Sequence, residues 1–282
     1  MYLFKKITDL HRYLNHRKRE GKTIGFVPTM GALHQGHASL VRQSAKETNC
    51  TVCSIFVNPT QFNEFGDLAK YPRTPEKDIV LLIEAGCSAL FMPDVAEMYP
   101  DGEQSALNLN FGYLSHPMEG AFRPGHFIGV AQVVKRLLDI VQPDQLFMGQ
   151  KDYQQFAIVQ HMLGELHLPV KLTMCTTIRE ADGLAMSSRN MRLTPEQRAI
   201  APIIYQTLNQ AKANMHSEWT EALKSEAMKA LSAAGMEPEY FEIVDGKTLQ
   251  PVTIIEDHEM VVACAAVRVG EVRLIDNLVM KA

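Results

Sequence analysis

The sequence has no apolar run approaching the roughly 18–20 residues that a membrane-spanning helix needs, so no membrane partner is expected. Its first residues, Met1-Tyr2-Leu3-Phe4-Lys5-Lys6, lack the long apolar stretch of a signal peptide, and a cytoplasmic protein is expected. A large basic excess is also missing. Lys and Arg number 28 against 32 Asp and Glu, for a net charge of -4. Such a chain is poorly equipped to neutralise a phosphate backbone, so nucleic acid is not an expected partner, while a local pocket for a small phosphate ligand stays open. The five cysteines, Cys50, Cys53, Cys87, Cys175 and Cys264, are odd in number and their spacings do not resemble a disulfide framework. Cys50 and Cys53 do form a C-x-x-C, but they lie in Cys50-Thr-Val-Cys-Ser-Ile-Phe-Val57, which reads as a buried strand. A three-residue offset on a strand turns the two thiols to opposite faces. They are therefore read as small apolar packing rather than as a metal or redox pair.

What is present is globular in character: 46% hydrophobic and 21% charged residues over 282 positions, enough for one large domain or two ordinary ones. Short apolar strands alternate with amphipathic helices through the first two-thirds. Strands are predicted at Thr23–Val27, Thr51–Val57, Ala89–Met92, Gln145–Met148 and Val170–Thr176. Between them, helices are predicted from about Gly36 to Glu47, from Pro75 to Gly86 with Thr74 as N-cap, over Phe127–Val141, and over Tyr153–Leu166. This alternation predicts an α/β fold, a mostly parallel sheet covered by helices on both faces, with ligands at the carboxyl ends of the strands. Beyond about residue 176 the pattern becomes two helices, Pro195–Asn214 and Thr220–Ala234, and then strands at Tyr240–Val244, Met260–Val269 and Val272–Ile275. A smaller α+β domain over 177–282 is expected after a first domain over 1–176, with Asp182-Gly183 as a candidate hinge.

One segment carries chemistry. Pro28-Thr-Met-Gly-Ala-Leu-His-Gln-Gly-His37 leaves a strand and opens a helix. Gly31 and Gly36 let the backbone approach a ligand closely, and the free amides and dipole of the helix start favour an anion. The G-x-x-x-x-G at Gly31 and Gly36 is not a P-loop, because His37 and Ala38 replace the Lys and Ser/Thr that phosphate and magnesium require. The H-x-G-H at His34 and His37 fits better. It resembles the signature of nucleotidylyl transferases and class I aminoacyl-tRNA synthetases, in which two imidazoles can stabilise charge as pyrophosphate departs. Taken alone, the two histidines could equally be read as helix caps.

The longer pattern resembles the pantothenate synthetase (pantoate–β-alanine ligase) family. Besides the H-x-G-H segment, the resemblance rests on Ser54-Ile-Phe-Val-Asn-Pro-Thr-Gln-Phe62, Tyr71-Pro-Arg-Thr74, Arg123-Pro-Gly-His-Phe127, Gly149-Gln-Lys-Asp-Tyr-Gln-Gln155, Asp182-Gly-Leu-Ala-Met-Ser-Ser-Arg-Asn190 and Arg273-Leu-Ile-Asp-Asn277. These segments span nearly the whole chain in the family's order. The resemblance implies a Rossmann-like doubly wound parallel sheet of the H-x-G-H nucleotidylyl transferase type with a smaller C-terminal α+β domain, and a homodimer. It implies that ATP and pantoate form pantoyl adenylate and pyrophosphate, and that β-alanine then displaces AMP.

The same resemblance assigns residues. ATP would be bound by Met30, Gly31, Ala32, Leu33, His34, Gln35, Gly36 and His37, by Gly149, Gln150, Lys151 and Asp152, by Ile178, and by Met186, Ser187, Ser188 and Arg189. His37, His34 and Lys151 would be catalytic, Lys151 by holding charge that builds on phosphate. Gln61 and Gln155 would bind the pantoate hydroxyls and carboxylate, with β-alanine near Gln61. Asp152 would accept from a ribose hydroxyl, and His126 would support the substrate loop. Mg2+ would accompany ATP mostly through substrate oxygens and water, with Asp78 as the protein-side candidate. Without the family, Asp78 and Asp152 read as acids at helix starts and Ser187-Ser188-Arg189 as a weak phosphate signal. Competing readings are a transferase acting on a phosphorylated substrate, which would not need Gln61 and Gln155, a degenerate synthetase module on RNA, and a non-catalytic nucleotide binder.

Overall fold

The computed structural model describes residues 1–61, 71–100, 102, 109–216 and 219–282. Six parallel strands form one sheet in the order β1-β4-β3-β2-β5-β6: β1 (Tyr2–Phe4), β2 (Ile24–Thr29), β3 (Cys50–Ile55), β4 (Ala89–Phe91), β5 (Gln145–Gly149) and β6 (Lys171–Cys175). From β2 the chain steps outward to β3 and β4, then crosses back to β5 on the other side of β2. Right-handed crossovers in opposite directions place their helices on opposite faces. The packing agrees: helices Gln35–Glu47 and Pro75–Glu84 contact one another, and helices Ile7–Arg19 and His126–Val141 form a second pair. With both faces covered, β2 and β3 are buried almost continuously, and Val27, Val41, Cys53, Leu82, Leu90 and Phe147 share one core.

The reversal of direction makes the gap between β2 and β5 the switch point of the sheet, where such folds bind ligands. Pairing of β2 with β5 stops at Phe26–Leu146, whereas pairing with β3 continues through Pro28–Ser54 to Thr29–Ile55. Pro28 has no N–H to donate, so β2 and β5 part before their carboxyl ends.

The chain divides into two compact units. Met1–Phe111, Arg123–Gly149 and Gln155–Thr176 make the first; Gly112–Phe122, Gln150–Gln154 and Thr177–Ala282 make the second. A major division thus falls after Thr176, while residues 112–122 and 150–154 group with the second unit, where a linear cut placed them in the first. The second unit contains an antiparallel sheet, β7 (Glu237–Asp245), β8 (Val261–Val269) and β9 (Val272–Lys281), in that order. Helices Ile203–Ala213 and Thr220–Ala233 pack on it through a core that includes Leu208, Leu223, Leu231, Phe241 and Val261.

One local expectation is corrected, and two elements are added. The helix predicted over 195–214 is two, Pro195–Ile200 and Ile203–Ala213, interrupted at Ala201-Pro202 because a proline inside a helix removes a donor and crowds the preceding turn. Strand β1 and helix Ile7–Arg19 are present without having been predicted. Asp182-Gly183, the candidate hinge, is the tip of a tight hairpin closed by the Arg179–Ala185 bridge and the Gly183 N–H to Glu180 O bond.

Candidate active site

The H-x-G-H segment forms the corner between β2 and the helix Gln35–Glu47. The turn passes through two consecutive left-handed residues, Gly31 (φ 86°) and Ala32 (φ 49°). A Cβ at Gly31 would lie 3.1 Å from Ile55 Cγ2 and 3.2 Å from Asp78 Oδ2, so any larger residue there would be strained in conformation and crowded by its neighbours. Ala32 tolerates a sparsely populated conformation because its surroundings hold it. Asp78, 2% exposed, accepts the Ala32 N–H at 3.0 Å and the Leu33 N–H at 2.8 Å, and the Thr74 hydroxyl at 3.0 Å.

That geometry changes two assignments. Thr74 occupies the N-cap position of helix Pro75–Glu84, yet its hydroxyl donates to Asp78 instead of capping an amide. Asp78, expected as a magnesium ligand, turns its oxygens to the loop amides and the threonine. Among the described residues no three His, Cys, Asp or Glu side chains gather as a metal site. Asp78 is the anchor of the Gly31–Leu33 turn.

The two histidines lock each other. His34 Nδ1 accepts the Gly36 N–H at 3.1 Å, and His37 Nδ1 accepts the His34 N–H at 3.3 Å, a reciprocal capping box made of imidazoles. Their ring centroids are 4.1 Å apart. An Nδ1 that accepts an amide proton cannot carry one, so the neutral rings hold their hydrogen on Nε2. The capping reading and the catalytic reading are therefore the same geometry: capping by Nδ1 sets each Nε2–H as a donor at a helix start.

The neighbouring strand ends supply other expected residues. β3 runs into Asn58, 1% exposed, whose side chain bonds Thr60, the Gly129 carbonyl and the Tyr99 hydroxyl. Gln61 closes the short turn Pro59–Gln61; its side chain lies outside the described residues, as does Phe62. β5 ends at Gly149. Gln155, on helix Tyr153–Glu165, is half-buried, and its amide makes no hydrogen bond among the described residues. His126, 6% exposed, starts helix His126–Val141.

In the second unit, Gln150, Lys151 and Asp152 form one 3-10 turn. Asp152 is exposed, and Lys151 makes no ion pair among the described residues. Asn277, the last residue of the Arg273–Asn277 segment but given no role from it, holds this turn: its Nδ2 donates to Gln150 O at 2.9 Å and Lys151 O at 2.8 Å. Ile178 is exposed and its carbonyl accepts the Met186 N–H at 3.0 Å, which seats Met186 on the hairpin. Ser187 caps the 3-10 helix Ser188–Arg192 by accepting the Arg189 N–H at 3.3 Å. Arg189 is half-buried without an ion pair among the described residues. Arg179, also unassigned from sequence, grips Asp276 with two bonds of 2.6 and 3.0 Å and lies 3.6 Å over the Tyr205 ring. Burial pushes the Asp276 carboxyl up, against the Arg179 guanidinium, the Asn277 amide and the Lys151 charge.

All five cysteines are free and buried, as their apolar setting implied. Burial pushes the Cys53 thiol well up, and Cys87 up to about 12, so neither supplies thiolate near neutral pH.

A parallel sheet split at its switch point, with a donor-bearing histidine pair on the helix after β2, defines a nucleotide-binding α/β protein of the Rossmann-like kind. Comparison with known proteins narrows this. The family model described as pantoate-beta-alanine ligase matches residues 2–279, and the chain belongs to that family. It is 48% identical to a pantothenate synthetase of Porphyromonas gingivalis over 279 residues, 99% of both chains. The crystal structure of pantothenate synthetase from Thermus thermophilus superposes with a TM-score of 0.93 at 40% identity, covering 100% of both chains. A pantoate-beta-alanine ligase from Francisella tularensis, solved in complex with beta-gamma ATP and beta-alanine, gives 0.83 at 34% identity, covering 99% of this chain and 98% of that one.

Proposed function

We propose that this chain condenses pantoate with β-alanine using ATP, through a pantoyl adenylate. The pantoate carboxylate attacks the α-phosphorus, the bond to the β-phosphate breaks, and pyrophosphate leaves. The β-alanine amine then attacks the acyl carbon of the mixed anhydride, releasing AMP. A free carboxylate is a poor acyl donor at neutral pH, and adenylation gives it a leaving group.

The observation that carries the reading is the histidine pair, in a chain matched to this family from residue 2 to 279. His34 and His37 donate from Nε2 to phosphate oxygens whose charge grows in the transition state. His37 keeps its Nε2 proton and acts by hydrogen bonding to the departing pyrophosphate, whose charge it stabilises. Met30 to His37 enclose the phosphates, with Gly31 and Gly36 keeping the backbone close. Lys151 neutralises phosphate charge and Asp152 takes a ribose hydroxyl. Gly149 and Gln150 line the nucleotide, and Ile178 meets the adenine. Met186, Ser187, Ser188 and Arg189 cover the phosphates. Gln61 and Gln155 hold pantoate with neutral amides that add no charge beside the nucleophile. Magnesium would accompany ATP, held mostly by substrate oxygens and water, and would neutralise phosphate charge there. The protein works in the cytoplasm as a homodimer.

The test is to supply ATP, magnesium, pantoate and β-alanine, follow AMP, and omit each in turn. Pantoate-dependent exchange of pyrophosphate into ATP without β-alanine is expected. Turnover that instead needs CTP or RNA overturns the reading.

A further inference from the structure

We infer that Asn277 is a positioning residue for Lys151, and that Arg179 and Asp276 hold Asn277 in place to do it. The inference rests on the role proposed for Lys151.

A three-residue 3-10 turn has little internal cooperativity, so Gln150–Asp152 must be fixed from outside. Asn277 on β9 is 2% exposed and does this with its whole amide. One NH2 group straddles two consecutive carbonyls, Gln150 O at 2.9 Å and Lys151 O at 2.8 Å, while Oδ1 accepts from Gln150 Nε2 at 3.2 Å. Asparagine is the smallest side chain with two donors on one nitrogen and an adjacent acceptor. Away from water these bonds are strong, and an unmatched partner is costly.

Asn277 is clamped in turn. Its N–H donates to Asp276 Oδ1 at 2.8 Å, and its carbonyl accepts from Arg179 Nη2 at 3.3 Å. Asp276, 4% exposed, is held by the Arg179 fork, which also donates to Gly183 O at 3.2 Å and rests on Tyr205. Arg179 opens the hairpin that runs into Met186–Arg189. Within this one unit, the backbone carrying Lys151 and the start of the 186–189 segment are thus tied to the same buried group of three residues. A rigid mount matters because displacement of a charged group by about 1 Å can cost about 100-fold in rate.

The test is a double-mutant cycle read by single-turnover pyrophosphate release, using Asn277→Ala, Lys151→Ala and the double variant of the full-length protein. Asn277→Ala is expected to slow release by about 10- to 100-fold with the pantoate dependence unchanged. In the Lys151→Ala background the same change is expected to cost less than about threefold, since the group it positions is gone. Equal loss in both backgrounds, or wild-type rates for Asn277→Ala, overturns the proposal. Should Asn277→Ala fail to fold, Arg179→Lys, which keeps the charge and loses the fork, is read in the same cycle with the same criteria. Unimpaired release by Lys151→Ala alone instead refutes the functional role of Lys151, and the positioning role with it.

Discussion

His37 turns Nδ1 to the backbone N–H of His34, and His34 turns Nδ1 to that of Gly36, so each imidazole is oriented by the backbone of the motif that contains it. The pair can be separated by substitution. Asparagine is a good N-cap but lacks a donor at the Nε2 position. His34→Asn is expected to keep the melting temperature within a few degrees and to slow adenylate formation about 100-fold or more. His37→Ala should slow it at least as much. Single-turnover pyrophosphate release beside thermal melts reads both, and near wild-type release in either variant removes that histidine from the chemistry.

Asp78 is the anchor of the turn that presents those histidines. Asp78→Ala leaves the Ala32 and Leu33 amides without their acceptors, at about 1–3 kcal/mol for each buried donor. Lower stability and lower activity are expected together, with the magnesium concentration for half-maximal rate unchanged. A several-fold rise in that concentration would identify Asp78 as a metal ligand as well.

Gly31→Ala tests the same turn from the other side. Its φ of 86° and the 3.1 Å approach to Ile55 Cγ2 predict a loss of about 1–3 kcal/mol, measured by urea unfolding. A variant as stable as the parent would show that the turn relaxes freely.

Glu119 lies at the centre of a buried ionic group in the second unit. It accepts two bonds from Arg273, at 2.8 and 2.7 Å, and one from the Tyr240 hydroxyl at 2.9 Å, while Arg273 also reaches Glu239 at 2.8 Å. Glu119→Ala leaves Arg273 with less compensation, at about 3–5 kcal/mol. Glu119→Gln keeps the shape and should cost less. Equal stabilities for Glu119→Ala and the parent, by chemical denaturation, would contradict the arrangement.

Asp245 governs a response to acid. Burial opposes its ionisation, but the Thr248 N–H, His258, the Thr248 hydroxyl and the Lys247 N–H outweigh burial and hold its pKa down at about 2. A depressed carboxylate stabilises the fold above its unfolded pKa near 4, and that contribution of about 2 kcal/mol disappears as pH falls through about 2. Asp245→Asn should lower stability at pH 7 and flatten its dependence between about pH 4 and 2. An unchanged slope would assign the acid response elsewhere.

The order of strands and helices was legible because each periodic segment carries its own signal: a continuous apolar run for a strand covered on both faces, and apolar positions at helical spacing for Phe127–Val141. Edge strand β1 was not legible, since three residues carry no period. Pro202 was in view but was absorbed into a longer pattern. The H-x-G-H corner was visible because one contiguous segment contains the turn glycine, both histidines and the helix start. The roles of Asn277 and Arg179 were hidden for the opposite reason: Arg179 meets Asp276 and Asn277, and Asn277 meets the Gln150–Lys151 turn, across 97 to 127 residues of chain, and no local pattern records such pairings.

Residue order alone was enough for the α/β class, the position of the histidine corner and the family to which the chain belongs, because local hydrophobic periodicity and contiguous motifs need no folded context. Folding in three dimensions was needed to show that Asp78 anchors a turn, that both histidines turn Nδ1 to backbone amides, and that Asn277 holds the Lys151 turn. Each of those depends on the direction of a particular hydrogen bond, and direction is a property of how the chain is placed in space, not of residue type.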